Sequence, residues 1–334
     1  MGDRILYKPD PSRGRCTVLE GCGHLSTNGR FTHLDLKLLD DCNNNCIHCV
    51  IADQRERARA LGRKGFRTTQ EVVKEIVEAK HQGVQVVTFT GGEPTLRKDL
   101  PLLVRLARGE GLKVGIQTNG RLLVYDKVCD ALSGMGVRFV VAIHGSCAEV
   151  HDAVTRAKGS FEQTIGGIRN LIKKGETVTA KVVISRKNLG DLQTLAEKIL
   201  SEGIRRLNLT FPHGLGNAGK DYLGVVPKLS EVMPELFRVF QSVERHGAEV
   251  VTEGIPLCFL GEYLRCASEL YYGMAVSSIV KQLDQDARNW SKDRVEEEKA
   301  KSQKCKRCAL NNQCEGVWKE YLEYFGDEEL SVVL

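Results

Sequence analysis

Short apolar runs alternate with amphipathic helical segments along most of the chain. The runs cover residues 34–39, 84–90, 112–117, 137–143, 178–184 and 204–210. Each helical segment ends in a glycine just before the next run, as suits a helix C-terminus, where positive φ is often needed. These glycines are Gly83, Gly111, Gly136, Gly175, Gly203 and Gly247. Strands that alternate with helices at this spacing predict a parallel α/β sheet.

Local signals support the predicted helices. Thr68 with Glu71, and Ser160 with Gln163, each fit the capping box that starts a helix. About six strand–helix units without a dinucleotide-binding glycine fingerprint favour a barrel, complete or partial, over an open doubly wound sheet.

The regular alternation of predicted strands and helices ends near residue 248. Residues 289–304 are rich in charge, and the sequence that follows is dense in cysteine and aromatic residues. We therefore expect a core over residues 32–247 and a small cysteine-rich unit over 248–334. Residues 1–31 have no clear period and are interpreted as a lead-in.

Composition narrows the class of protein. The 334 residues include 48 Lys and Arg against 43 Asp and Glu, a net charge of +5. This charge is too small for strong phosphate binding, and no RNA-binding module is visible, so a nucleic-acid partner is not expected. No apolar run reaches the roughly 18 residues of a membrane helix, and the N-terminus lacks the apolar stretch of a secretory signal. We expect a cytoplasmic protein that has no membrane partner.

Twelve clumped cysteines are the unusual feature of the composition. Without a secretory signal, such clumps favour metal or cluster ligands over disulfides. Cys42, Cys46 and Cys49 follow the first predicted strand with the spacing C-x3-C-x2-C. Three thiolates on one loop can hold a soft metal centre. A [4Fe–4S] cluster held by three would keep one iron open, whereas a zinc site would need His48 or a distant residue as its fourth ligand.

Two motifs together resemble the radical S-adenosylmethionine (SAM) superfamily. The sequence CNNNCIHC resembles the CxxxCxxC signature of that family, and TFTGGEPTL at 88–96 resembles its GGEP motif, one strand–helix unit later. The resemblance covers roughly residues 32–247 and implies a partial (β/α)6 TIM-like barrel.

The resemblance also implies roles for residues of both motifs. Cys42, Cys46 and Cys49 would hold a [4Fe–4S] cluster whose open iron chelates the amino and carboxylate groups of SAM. The GGEP residues would line the methionyl amine, with a plain strand-to-helix turn as the alternative. They are Gly91, Gly92, Glu93 and Pro94.

Other candidate SAM contacts lie where further strands end, because barrel chemistry collects at the carboxyl ends of strands. By analogy with the family these are Asn119, His144 and Ser185. For Asn119 the alternative is turn chemistry, since Asn-Gly is a common turn pair.

The C-terminal cysteines resemble the SPASM and twitch domains that follow many radical SAM cores. Cys305, Cys308 and Cys314 have the spacing C-x2-C-x5-C, and Cys258 lies upstream. The resemblance is partial, because Trp318 stands where the full SPASM pattern has its next cysteine. It implies one auxiliary [4Fe–4S] cluster held by these four cysteines. Cys266 is the alternative to Cys258, and zinc is the alternative to the cluster.

The expected chemistry is reductive cleavage of SAM to a 5′-deoxyadenosyl radical that takes hydrogen from a substrate. Flavodoxin or ferredoxin would supply the electron. The leading hypothesis is modification of a peptide or protein side chain by a maturase. The alternatives are a radical enzyme acting on a small molecule such as a sugar or nucleoside, and a zinc-stabilised scaffold without enzyme activity. No catalytic acid or base is assigned from the sequence.

Overall fold

The computed structural model describes residues 32–270, 278–283 and 287–334. The predicted lead-in over residues 1–31 lies outside the described residues. The main sheet has nine strands, in the spatial order β7-β6-β5-β4-β3-β2-β1-β8-β9. They are β1 (His33–Lys37), β2 (Val86–Thr90), β3 (Lys113–Thr118), β4 (Val137–Ala142), β5 (Val178–Val183), β6 (Arg206–Thr210), β7 (Glu249–Glu253), β8 (Ser278–Lys281) and β9 (Arg288–Asn289).

All six predicted strands are present, and each pairs in parallel with the next along the chain. Among the described residues the outer strands β7 and β9 do not pair with each other, so the sheet stays open on one side. The prediction of an α/β fold built on a partial barrel is confirmed.

Two further parallel strands extend the sheet beyond the predicted six. β7 pairs with β6, and β8 pairs with β1 on the other side of the sheet. The sheet therefore continues past residue 247, and the division of the chain at that residue remains a prediction. Among the strands that the structure describes in this sheet, β9 alone runs antiparallel, and it pairs with β8.

The helices between the strands begin and end close to their sequence signals. They are α1 (Ala52–Ala60), α2 (Thr69–His81), α3 (Leu100–Gly109), α4 (Asp126–Leu132), α5 (Ala148–Thr155), α6 (Ser160–Lys173), α7 (Leu192–Ser201), α8 (Asn217–Lys220), α9 (Tyr222–Val225) and α10 (Leu229–Arg245). The six glycines predicted at helix ends all have positive φ, between 58° and 93°.

One predicted capping box is correct and the other is wrong. At the start of α2 the Thr68 hydroxyl accepts a hydrogen bond from the Glu71 N–H, and the Glu71 carboxylate accepts one from the Thr68 N–H. At the start of α6 the N-cap is Gly159, and no side chain of that turn caps the helix. The Asp152 carboxylate instead accepts from the N–H groups of Gly159 and Phe161, at 2.6 and 2.8 Å.

Alternate strand positions separate a helix-packed core from a polar face. Leu34, Leu36 and Leu207 are completely buried against the helices. On three neighbouring strands the intervening positions carry polar groups that meet. Glu253 of β7 pairs with Lys181 of β5 at 3.1 Å and accepts a hydrogen bond from the Thr210 hydroxyl of β6 at 3.3 Å. These polar residues lie towards the carboxyl ends of their strands.

The C-terminal segment packs on the carboxyl side of the barrel. It contains α11 (Trp290–Asp293), the antiparallel pair β10 (Lys299–Ala300) and β11 (Val317–Trp318), and α12 (Lys319–Phe325). Tyr321 of α12 is buried and meets Phe211 edge-on, with 5.8 Å between ring centroids. No helix among the described residues is long and apolar enough to cross a membrane.

Candidate metal and cofactor site

The three-cysteine loop begins at the carboxyl end of β1. Cys42, Cys46 and Cys49 are all partly buried and carry free thiols. Burial raises the pKa of each thiol, to about 11 at Cys42. The metal-free loop therefore holds neutral thiols at pH 7, and a bound metal would displace their protons.

The three asparagines between Cys42 and Cys46 anchor this loop to separate parts of the fold. Asn43 accepts from the Asn119 side-chain amide at 2.6 Å, and Asn44 accepts from Arg121 at 2.8 Å, both from the end of β3. Asn45 accepts from Arg55 of α1 at 3.0 Å.

The short helix α8 holds the loop from the other side. Asn217 donates from its side chain to the Cys46 carbonyl at 2.8 Å and from its backbone to the Cys49 carbonyl at 3.0 Å. The loop is therefore fixed by the end of β3 and by helices α1 and α8, as a preorganised ligand set requires.

The predicted glycine-rich turn lies directly against the cysteine loop. The Gly92 N–H donates to the Leu39 carbonyl at 2.6 Å, and the Glu93 N–H donates to the Asp41 carbonyl at 2.8 Å. A Cβ on Gly92 would lie within 2.5 Å of the Asp40 and Asp41 backbone, and one on Gly91 would overlap the Leu39 carbonyl. The close approach that needs glycine is thus between the two loops that carry the motifs. Pro94 follows as the first residue of a 3₁₀ turn.

Glu93 is completely buried between the two loops. One carboxylate oxygen accepts from the Thr95 N–H at 3.0 Å and from the Thr95 and Thr118 hydroxyls at 2.6 Å each. The other accepts from the Asn119 N–H at 2.7 Å. Burial raises the pKa of Glu93, and these hydrogen bonds act in the opposite direction. The oxygen with a single partner retains a lone pair for a ligand amine.

Three histidines extend from the cysteine loop into the barrel. The ring centroids of His48 and His144 are 4.6 Å apart, and those of His144 and His151 are 5.9 Å apart. Burial lowers the pKa of His48 and of His151 to about 4 and that of His144 well below its usual value. All three rings are therefore neutral at pH 7.

The histidines form a second possible zinc grouping, distinct from the site of three cysteines with His48. Ligand atoms of Cys46, His48 and His144 lie within 4.8 Å of one another, a grouping that could hold a metal ion. However, Nδ1 of His144 accepts a hydrogen bond from the Val183 N–H at 3.2 Å, which leaves the ring proton on Nε2. In this tautomer His144 is a hydrogen-bond donor and not a metal ligand, which disfavours a Cys–His–His zinc site.

Of the other predicted SAM contacts, Asn119 and His144 lie at the cysteine loop. Asn119 has its amide turned to the cysteine loop, with its nitrogen 3.8 Å from Cys42 Sγ. His144 lies beside the loop, as described. Ser185 is completely buried, and its hydroxyl donates to Asn188 at 3.0 Å. Asn188 in turn donates to the His144 carbonyl at 3.0 Å, so Ser185 reaches the centre only through this chain of contacts.

Residues that the sequence analysis missed hold the site together. Thr118 binds Glu93, while Arg55, Arg121 and Asn217 bind the cysteine loop. Thr118 and Arg121 flank the Asn-Gly pair already noted at the end of β3, which is a signal that could have pointed to them. Arg55 and Asn217 have no comparable local signal.

The C-terminal cysteines converge on one cavity. Cys258, Cys305, Cys308 and Cys314 all line one small cavity. Burial raises the pKa of Cys258 and Cys314. Cys266, the alternative to Cys258, is buried in the hydrophobic core and does not line this cavity. Four thiols around one cavity fit a tetrahedral metal or a fully ligated cluster equally well.

Comparison with known proteins finds a family model and several relatives that match part of the chain. Residues 36–199 match the sequence model of the Radical SAM superfamily. The chain is 30% identical to Fe-coproporphyrin III synthase of Methanosarcina barkeri, over 50% of this chain and 40% of that protein. It is 31% identical to mycofactocin maturase MftC of Mycolicibacterium smegmatis, over 52% of this chain and 43% of that protein. The matches thus span about two fifths of these relatives.

A solved structure shares the fold over most of the chain. The fold is similar to that of Streptococcus suis SuiB bound to the precursor peptide SuiA, with a TM-score of 0.63 and 16% sequence identity. The match covers 89% of this chain and 73% of SuiB. It therefore includes residues outside the segment 36–199.

Proposed function

We propose that this chain, whose residues 36–199 match the sequence model of the Radical SAM superfamily, is a [4Fe–4S] enzyme that modifies a peptide or protein side chain. The observation that carries the proposal is the packing of the three-cysteine loop against the GGEP turn, with a buried carboxylate between them. When bound, the cluster and SAM supply reductive C–S cleavage to methionine and a 5′-deoxyadenosyl radical, which abstracts hydrogen from the substrate.

Residues of this chain would bind and orient these groups. Cys42, Cys46 and Cys49 would hold the cluster as three thiolates and leave one iron for SAM. Glu93, with Gly91, Gly92 and Pro94, would receive the methionyl amine through its free lone pair. Asn119 and His144 would contact SAM from the ends of β3 and β4, and Ser185 would keep the position of His144 through Asn188.

We also propose one auxiliary [4Fe–4S] cluster in the cavity formed by Cys258, Cys305, Cys308 and Cys314. Their convergence on one cavity, and the place of Cys266 in the core, support this ligand set. Because four thiolates fill every iron position, this site would transfer electrons and not bind substrate. Residues 248–334 are proposed to form this auxiliary unit.

A peptide substrate is supported by two comparisons. The mycofactocin maturase is similar in sequence, and SuiB, which shares the fold, was solved with its precursor peptide SuiA. We propose that the donor of the first electron is a flavodoxin or a ferredoxin. A small-molecule substrate is the second candidate, because the first relative described above is a synthase of an iron porphyrin.

The decisive experiment is SAM turnover by anaerobically purified protein with dithionite as reductant. We expect 5′-deoxyadenosine from iron-loaded wild type and none from Cys46→Ser. The joint replacement of Cys305 and Cys308 by alanine should halve the iron and spare SAM binding. Fully iron-loaded protein that makes no 5′-deoxyadenosine would contradict the proposal, and stoichiometric zinc without iron would favour the scaffold alternative.

A further inference from the structure

Arg55 is a buried guanidinium next to the three-cysteine loop. It lies on α1, directly after the loop, and only 8% of the residue is exposed. One of its terminal nitrogens donates to Asn45, the residue before Cys46, at 3.0 Å. Within the described ranges, 32–270, 278–283 and 287–334, no carboxylate forms an ion pair with it.

A buried cation without an anion is costly, and a guanidinium cannot shed its proton to avoid that cost. The acidic residues nearest to it in the sequence, Asp53 and Glu56, both pair with Lys220 instead. The guanidinium contacts the loop through Asn45, directly before Cys46, so thiolates bound to a cluster there would be the anions beside it. The hydrogen bond to Asn45 fixes this buried guanidinium beside the loop that carries all three cysteines.

We propose that Arg55 is the fixed positive charge that sets the reduction potential of the cluster held by Cys42, Cys46 and Cys49. This inference rests on the proposed function. One electron from the external donor adds one negative charge to a site that already carries three thiolates, and no proton or bond changes place. A buried cation beside the loop stabilises the reduced form more than the oxidised form and so raises the potential.

Two other arginines near the loop serve as comparisons. Arg121 binds the loop through Asn44 but also binds Gln163 at 2.6 Å, and it is only partly buried, whereas Arg55 is buried. Arg59 lies on the same helix as Arg55, with 66% of its side chain exposed, and pairs with Asp41 at 2.9 Å. Water and Asp41 screen the charge of Arg59, which makes Arg59→Gln the matched control.

The test is an anaerobic redox titration of the full-length, iron-loaded protein followed by electron paramagnetic resonance. The cluster of interest is recognised by the change that SAM causes in its spectrum. We expect Arg55→Gln to make one-electron reduction about tenfold less favourable, a shift of about 59 mV to more negative potential. Arg55→Lys keeps the charge and should stay near wild type, as should Arg59→Gln.

An unshifted potential in iron-loaded Arg55→Gln would overturn the inference. Loss of SAM affinity without a shift would also overturn it, because Arg55 would then be a ligand of SAM. If Arg55→Gln does not assemble the cluster, Arg55→Met is the second neutral variant. If neither neutral variant assembles the cluster but Arg55→Lys does, the result supports the need for a positive charge at this position. If none of the three variants assembles the cluster, Arg55 has a purely structural role and the inference is overturned. Absence of a cluster in wild type would refute the proposed function itself.

Discussion

Replacing Gly92 by alanine tests the contact between the two loops that carry the motifs. The new Cβ would lie within 2.5 Å of backbone atoms of Asp40 and Asp41, which cannot move aside as a flexible side chain can. The loops must separate, and the hydrogen bonds from the N–H groups of Gly92 and Glu93 to the cysteine loop would break. At about 1 kcal/mol for each bond, the free energy of unfolding should fall by about 2 kcal/mol.

The same displacement should move Cys42 away from its partners, so iron content should also fall. The matched control is Gly109→Ala at the end of α3, where a new Cβ has no atom within 4 Å. In that helical position alanine should leave stability unchanged or raise it by up to about 1 kcal/mol.

The assay is urea unfolding of anaerobically purified protein, together with iron and sulfide analysis of each variant. The account expects a large loss of stability and iron in Gly92→Ala and neither in Gly109→Ala. If Gly92→Ala unfolded at the same urea concentration as Gly109→Ala and kept its iron, the argument from close packing would be refuted.

Three further predictions concern buried polar groups and the auxiliary cavity. Glu93→Gln places an amide N–H₂ group where the carboxylate accepts hydrogen bonds. The free energy of unfolding, measured with urea, should fall by about 2 kcal/mol, and SAM binding, measured by equilibrium dialysis, should weaken. Lys181 lowers the pKa of Glu253 to about 2. The pair therefore stabilises the fold above the unfolded carboxyl pKa of about 4.3, and this contribution is lost as pH falls towards 2. Lys181→Met should lower the free energy of unfolding by about 3 kcal/mol at pH 7. The difference in this free energy between variant and wild type should narrow below pH 4, and an equal difference at pH 3 would contradict the prediction. Cys258→Ala should halve the iron content while Cys266→Ala leaves it unchanged, and the reverse result would exchange their roles.

The repeating part of the fold could be predicted because each strand and helix carries its own signal. Apolar runs, a capping box at Thr68 and glycines at helix ends are local features, and the structure bears them out. β7 was missed because its five residues begin and end in glutamate. Those charges are accommodated by partners on other strands: Glu249 by Arg206 and Glu253 by Lys181. Because the partner of such a charge lies on another strand, the local sequence alone does not show that the charge can be accommodated in a strand.

The candidate site divides in the same way. The cysteines and the glycine-rich turn are contiguous motifs, so the sequence could predict them. Arg55 lies in a helix with Arg57 and Arg59, and only long-range packing makes it the buried one of the three. The choice between Cys258 and Cys266 likewise depended on which of them faces the cavity of the other C-terminal cysteines, which no local pattern records.

The open coordination position at the three-cysteine cluster is the central claim. Electron–nuclear double resonance on the reduced, oxygen-free protein with SAM labelled by ¹⁷O in its carboxylate measures it directly. We expect a hyperfine coupling that shows the carboxylate bound to iron, and its loss in Cys46→Ser. An iron-loaded protein without this coupling would mean that a fourth side chain occupies the position, and the proposed radical chemistry would be wrong.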